Sequence, residues 1–263
     1  MDKIFPNRFK DKVVVVTGAG QGIGKNVALR ICQEGGSVVF VDRATTVETV
    51  VSEARFQGLK ALAVRADLEK YEGFLNTFET ANAFFGKIDI LINNVGGTIW
   101  AKPYHEYQET EIVAEINRSL YPTMWGCRAI LPYFLAQKGG VIVNVSSIAT
   151  RGVNRVPYAA SKGGVNALTA CLALEYSENN IRINAIATGG TEAPPRLVPR
   201  NEHPQTPQEK IWYQQIVNQT IQSALMKRYG TMDEQVAAIL FLASDEASYI
   251  TGTVLPVGGG DLG

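Results

Sequence analysis

The chain has 263 residues, enough for one large domain or two small ones, and its 46% hydrophobic and 19% charged content is that of a globular protein with a sizeable core. Lys+Arg and Asp+Glu both number 25, so the formal charge is +0 and the basic excess that neutralises nucleic-acid phosphates is missing. No apolar run reaches the ~18 residues of a membrane span, and Met1–Phe5 opens a segment too polar for a secretory signal; a soluble cytoplasmic protein with no nucleic-acid and no membrane partner is expected.

Short β-branched runs alternate with longer helical patterns, the signature of parallel strands joined by crossover helices. Val13–Thr17 is a four-valine run too short for a helix, and an amphipathic stretch follows from Gly22 to Gln33. The alternation continues as strand Ser37–Asp42, helix Val47–Phe56, strand Ala61–Ala66, helix Phe74–Phe85 and strand Ile88–Asn93. A long helix from about Thr110 to Ala136 contains Pro122, and Val141–Ser146 is the next strand. Pro157 stands at a helix start, where its missing N–H costs nothing, and that helix runs to about Glu178. Strand Ile181–Ala187, helix Asp233–Ala243 and strand Thr253–Pro256 complete a single α/β domain over residues 1–263, doubly wound and of Rossmann type, with a seven-stranded parallel sheet. The segment from Thr188 to Tyr229 interrupts the pattern. Its prolines exclude regular structure as far as Pro207, whereas Gln208–Leu225 places Ile211, Val217, Ile221 and Leu225 at roughly helical spacing. A proline-rich loop feeding an amphipathic helix reads as a substrate lid; a surface excursion or oligomer contact is the alternative.

After the first strand the chain reads Thr17-Gly18-Ala19-Gly20-Gln21-Gly22-Ile23-Gly24, directly before a helix. Glycines there permit positive φ and close backbone approach, so the N–H groups at the helix start can face a pyrophosphate. A tight turn without ligand is the plain alternative. Asp42 ends the second strand, eighteen residues beyond Gly24, where a carboxylate accepts hydrogen bonds from the adenosine ribose and repels a 2′-phosphate. NAD is therefore expected over NADP, with Arg43 the neighbouring residue that can hold a phosphate instead. Asp67, after the third strand, is placed either to meet adenine or to cap the next helix.

Of the ten tyrosines only Tyr158 has a lysine four residues on, Lys162. On a helix that spacing stacks both side chains on one face, so the ammonium stabilises the phenolate and a tyrosine base for an alcohol proton becomes feasible. Ser146 and Ser147 end the preceding strand at the carboxyl edge of the sheet, where ligands of this fold bind. A hydroxyl there reaches the reacting oxygen, or caps a turn.

These residues resemble the short-chain dehydrogenase/reductase family over roughly residues 11–260. The matching motifs are Thr17-Gly18-x-x-x-Gly22-x-Gly24, Asn93-Asn94-Val95-Gly96, Ser147, Tyr158-x-x-x-Lys162 and Ile250-Thr251-Gly252. The resemblance implies Tyr158 as general acid/base, Ser147 as the group holding the substrate oxygen, and Lys162 as binder of the nicotinamide ribose and tuner of Tyr158. It implies cofactor contacts from Asn94, Val95 and Gly96, from the Gly18, Gln21, Gly22, Ile23 and Gly24 turn, and from Gly189 and Thr191. It also implies a homotetramer. Counting back from Cys127-Arg128-Ala129 puts Ser119 where the family has a catalytic asparagine, with Asn117 the alternative if the helix is distorted near Pro122. Thr188-Gly189 stands for the family's Pro-Gly, and Gly258-Gly259-Gly260 for its Asp-Gly-Gly.

Three further stretches, 93–103, 149–157 and 212–215, resemble the members of that family that act on a carboxylated cyclohexadiene cis-diol. Such a substrate implies NAD-dependent oxidation to catechol and carbon dioxide in the breakdown of aromatic acids. It needs a cation for its carboxylate. Arg155 and Arg151 are the first candidates, with Lys102, Arg196 and Arg200 also available and a solvated surface charge the plain reading of each. Trp100 is placed to cover the ring or to fill core. Another short-chain dehydrogenase, for a ketoacyl, steroid or sugar-alcohol substrate, and a non-catalytic NAD-sensing regulator are the competing functions. His105 and His203 lack metal-ligand spacing, and Cys32, Cys127 and Cys171 lie in apolar, helix-like stretches as reduced core residues, so no metal is expected.

Overall fold

The computed structural model describes residues 4–201 and 203–263. Seven parallel strands, β1 (Val13–Thr17), β2 (Ser37–Asp42), β3 (Ala61–Arg65), β4 (Ile90–Asn93), β5 (Gly140–Ser147), β6 (Ile181–Thr188) and β7 (Val254–Val257), lie in the order β3-β2-β1-β4-β5-β6-β7. β1 pairs with β2 on one side and β4 on the other, so the winding reverses beside β1 and opens a crevice at the strands' carboxyl ends.

The valine run explains why β1 is central. Val14 and Val16 point into the layer shared with α1 (Gly22–Gln33), α2 (Thr46–Phe56) and α8 (Met232–Ala243), while Val15 points into the opposite layer. That second layer holds α3 (Tyr71–Phe85), α5 (Tyr121–Gln137) and α6 (Val156–Tyr176), and a strand apolar on both faces is stable only between two such layers.

Many boundaries shift by a residue or two from the sequence reading, and two differences are larger. The expected helix over 110–136 is two, α4 (Glu109–Ser119) and α5, with Leu120 between them. Pro122 has no N–H to give the carbonyl of Arg118, so the hydrogen-bond ladder breaks there and restarts with Pro122 in the first turn of α5. α3 starts at Tyr71, not Phe74, and takes Gly73 into its first turn, where a Cβ would stand 2.2 Å from the Asp67 carbonyl oxygen. Strand β4 begins at Ile90, after Ile88. Cys32 and Cys127 are buried, but Cys171 is exposed on the outer face of α6, correcting its placement in the core.

Between β6 and α8 runs the segment expected to act as a lid, called the lid from here on for its position. Its ends are joined by a bridge between Thr191 and Gly230. After the prolines, α7 (Pro207–Ser223) starts on a reciprocal cap in which the Thr206 hydroxyl accepts the Glu209 N–H and the Glu209 carboxylate accepts the Thr206 N–H. Asn154 donates to the Trp212 carbonyl at 3.1 Å and to Gln215 at 2.7 Å, fastening α7 to the loop that precedes α6. Among the described residues no helix is long and apolar enough to cross a membrane.

Candidate active site

A cavity of about 630 Å³ opens at the carboxyl ends of β1, β4, β5 and β6, roofed by the lid. At one end lies the glycine turn. Gly18 and Gly22 have φ of +64° and +61°, and a Cβ on Gly24 would stand 2.2 Å from the Gly18 carbonyl oxygen, so only glycine lets the helix start this close to the strand. Gln21 precedes α1 without a side-chain cap, leaving the first N–H groups of the helix to an outside acceptor. Gly22 has open space where its Cβ would be. This cradle fits a dinucleotide pyrophosphate.

Asp42 is held at the rim by two backbone donors, Gly20 N–H to Oδ2 and Ala44 N–H to Oδ1, both at 3.0 Å. Arg43 turns to Glu69 at 3.6 Å, and Glu69 also takes Arg118 at 2.6 Å. Asp67 lines the same rim while accepting the Glu69 N–H at 3.2 Å, a local turn bond. Asn94 binds the Thr17 hydroxyl at 2.8 Å through its N–H and the Thr17 carbonyl at 3.0 Å through its amide, tying β4 to the glycine turn. Gln21 lines the cavity, and its amide also bonds the lid at Leu197 and Val198. Gly189 and Thr191 line the cavity at the lid's root, where a Cβ on Gly189 would stand 2.7 Å from the Gly258 Cα. That contact requires glycine at 189, and at 258 a Cβ would stand 2.8 Å from the Asp261 carbonyl oxygen, a physical reason for glycine where the family has Asp.

At the other end Ser147 and Tyr158 share the wall. Strand alternation separates the two serines. Ser146 turns inward to bond Asn166, while Ser147 faces the cavity with its oxygen accepting the Ala149 N–H at 3.1 Å and donating to the Thr188 carbonyl at 3.3 Å. Lys162 lies one helical turn from Tyr158, with Nζ 5.8 Å from the ring centroid and 2.7 Å from the Val145 carbonyl oxygen. It is 3% exposed, and burial, with Arg200 adding repulsion, pushes it down from the ordinary lysine value to about 7. Gly96 makes room for it: with φ of +150°, a Cβ there would stand 3.2 Å from Nζ. Behind Gly97, Ser119 is buried and its Oγ accepts the Gly97 N–H at 3.2 Å, while Asn117 is half-buried; neither side chain forms part of the cavity lining.

The candidate cations separate clearly. Arg155 lines the cavity, but Arg151 is exposed and does not, because its loop turns its backbone carbonyl to Gln219 on α7. Lys102 is taken by Glu111 at 2.6 Å. Trp100 lines the cavity, its N–H bonded to Glu115 at 3.0 Å. Glu115 is a residue that sequence reasoning missed. Fully buried on α4, it accepts the N–H groups of Ile99 and Trp100, fixing the loop after β4, and burial raises its carboxyl. A carboxylate on a helix carries no sequence signal for this.

A family model described as short chain dehydrogenase matches residues 12–203, and the chain belongs to that family. It is 59% identical to a 1,6-dihydroxycyclohexa-2,4-diene-1-carboxylate dehydrogenase of Acinetobacter baylyi, covering 97% of this chain and 98% of that one. A protein of the same name from Pseudomonas putida is 58% identical over 97% of this chain and 94% of its own. Among solved structures, an NAD+-bound xylitol dehydrogenase matches with a TM-score of 0.83 at 29% identity, over 96% of this chain and 99% of that one. The chain is accordingly an oxidoreductase that acts on a small molecule with a nicotinamide dinucleotide.

Proposed function

We propose that this dehydrogenase oxidises 1,6-dihydroxycyclohexa-2,4-diene-1-carboxylate, with NAD, to catechol and carbon dioxide. The observation that carries the reading is one cavity with a dinucleotide cradle at one end and Ser147, Tyr158 and a cation, Arg155, at the other. The naming of the two relatives supports the substrate. NAD over NADP is supported by the Asp42 carboxylate on the ribose side of the cradle and by Arg43 being drawn off to Glu69.

The ring carbon bearing the carboxylate has a tertiary hydroxyl and no hydrogen to give, so the hydride leaves from the neighbouring secondary carbinol. A bound nicotinamide supplies acceptance of that hydride. Tyr158 as phenolate takes the hydroxyl proton, Lys162 as ammonium stabilises the phenolate, and Ser147 donates to the reacting oxygen. Ser119 holds Gly97 and thereby the backbone over Lys162. The product is a β-keto acid, and its loss of carbon dioxide forms an enol that is already catechol. Arg155 holds the carboxylate. A homotetramer in the cytoplasm is the assembly and compartment that go with this reading.

The test is NADH formation by the purified enzyme from the carboxylated cis-diol, with catechol and carbon dioxide quantified. Equimolar NADH, catechol and carbon dioxide are expected. NADPH-dependent ketone reduction without diol oxidation selects another branch of the family, and dinucleotide binding without turnover selects a sensor.

A further inference from the structure

Five arginines line the cavity, and four are accounted for by position. Arg43 and Arg118 share Glu69. Arg196 is exposed, bonds the Val198 carbonyl and has Asp42 as its neighbouring acid, which puts it at the cradle end. Arg155 stands three residues before Tyr158. The fifth, Arg200, comes from the lid and reaches deep into the catalytic end. A Cβ on Gly97 would stand 2.1 Å from the Arg200 guanidinium carbon, so the planar group lies directly on the Gly97 backbone. It thus rests on the backbone that covers Lys162 and is held by Ser119.

Arg155 and Arg200 share a property that the others lack. Each has a buried Nε without a hydrogen-bond partner, and neither has a carboxylate within ion-pair distance among the described residues. Burying a guanidinium unpaired is costly, and in both the charge is disfavoured by burial while the Tyr158 side favours it. An anion placed between them and beside Tyr158 offsets that cost. A carboxylate has two oxygens and about four acceptor sites, enough for two guanidinium groups.

We propose that Arg200, delivered by the lid, is a specificity-determining residue that closes on the substrate carboxylate opposite Arg155. This rests on the reaction proposed above, in which the carbinol to be oxidised is bonded to the carbon that carries the carboxylate. The carboxylate must then lie close to the oxygen that Tyr158 serves, where both arginines stand. The lid segment is tied to the cradle at Gln21 and reaches the carboxylate at Arg200, so recognition of the acid and covering of the site become one event.

The test compares the carboxylated cis-diol with the plain cyclohexadiene cis-diol, in the full-length enzyme with NAD, for wild type, Arg200→Lys and Arg200→Gln. The ratio of kcat/KM for the acid over the plain diol is expected to fall about 10- to 100-fold in Arg200→Gln, mainly through KM, with Arg200→Lys in between. Inhibition by salicylate, an unreactive ring acid, weakens in the same order. A residue that merely braces the lid lowers both diols alike; an unchanged ratio, or unchanged salicylate inhibition, overturns the proposal. Wild type that makes NADH from the plain diol but not from the acid refutes the proposed function itself, and this inference with it.

Discussion

Replacing Lys162 with methionine keeps the chain length but removes the ammonium, and the structure gives that change a pH signature. A lysine ordinarily titrates at 10.5, and in the folded protein burial lowers Lys162 to about 7. Between those values the unfolded chain holds the proton and the folded chain has released it, so stability rises with pH, by up to about 1.4 kcal/mol per pH unit. From pH 7 to pH 9 the folded lysine goes from about half to almost wholly neutral, and the nucleotide-free wild type should gain about 2 kcal/mol relative to Lys162→Met. Urea denaturation of both proteins at pH 7, 8 and 9 measures this, since titrating groups remote from Lys162 cancel in the difference, and the same pair made in a Tyr158→Phe background removes the neighbouring phenol from it. The lost 2.7 Å bond to the Val145 carbonyl shifts the variant by a constant and leaves the slope untouched. Parallel stability curves would refute the claim that burial works against the Lys162 charge. The same balance bears on catalysis, because a phenolate at Tyr158 is helped only by a charged Lys162.

Tyr158→Phe is expected to lower kcat by about 10²- to 10⁴-fold, the range of general acid/base catalysis, with NAD binding retained by fluorescence titration; unimpaired turnover sinks the assignment. Asp42→Ala removes the fixed acceptor at the cradle rim, so KM for NAD should rise about 10-fold and the preference over NADP should narrow, as read from paired saturation curves. Gly97→Ala drives a methyl into the Arg200 guanidinium at a backbone φ of +128°, and a loss of about 1–3 kcal/mol in thermal unfolding with faster proteolysis of the lid is expected.

The sheet was legible because its signal is redundant. Val13–Thr17 and Ser37–Asp42 are β-branched runs too short for helices, and parallel strands buried on both faces demand that composition. Tyr158 and Lys162 were legible because one helical turn is a fixed spacing. What escaped depends on approach between distant segments. Pro122 was visible, but a proline inside a helical pattern reads as a kink or as a new first turn, and packing decides. Arg151 and Arg155 are equivalent by sequence position, yet the loop before α6 sends one outward and the other into the cavity. Glu115 looks like any solvated helix carboxylate until the loop after β4 folds back and gives it two N–H groups.

Gln21 shows how such an approach changes a residue's meaning. In the glycine turn its position belongs to the cradle, but its amide accepts the Leu197 and Val198 N–H groups and donates to the Val198 carbonyl, fixing the lid two residues before Arg200. The lid is held here by side-chain hydrogen bonds, each contributing about 1 kcal/mol, and by the Arg200 guanidinium resting on Gly97, contacts that must break together before it detaches. Once detached, it withdraws the Arg200 charge from beside Lys162, relieving part of the repulsion that lowers that lysine. Lid position and the protonation of the catalytic end are therefore linked through two residues that the sequence separates by thirty-eight positions, Lys162 and Arg200.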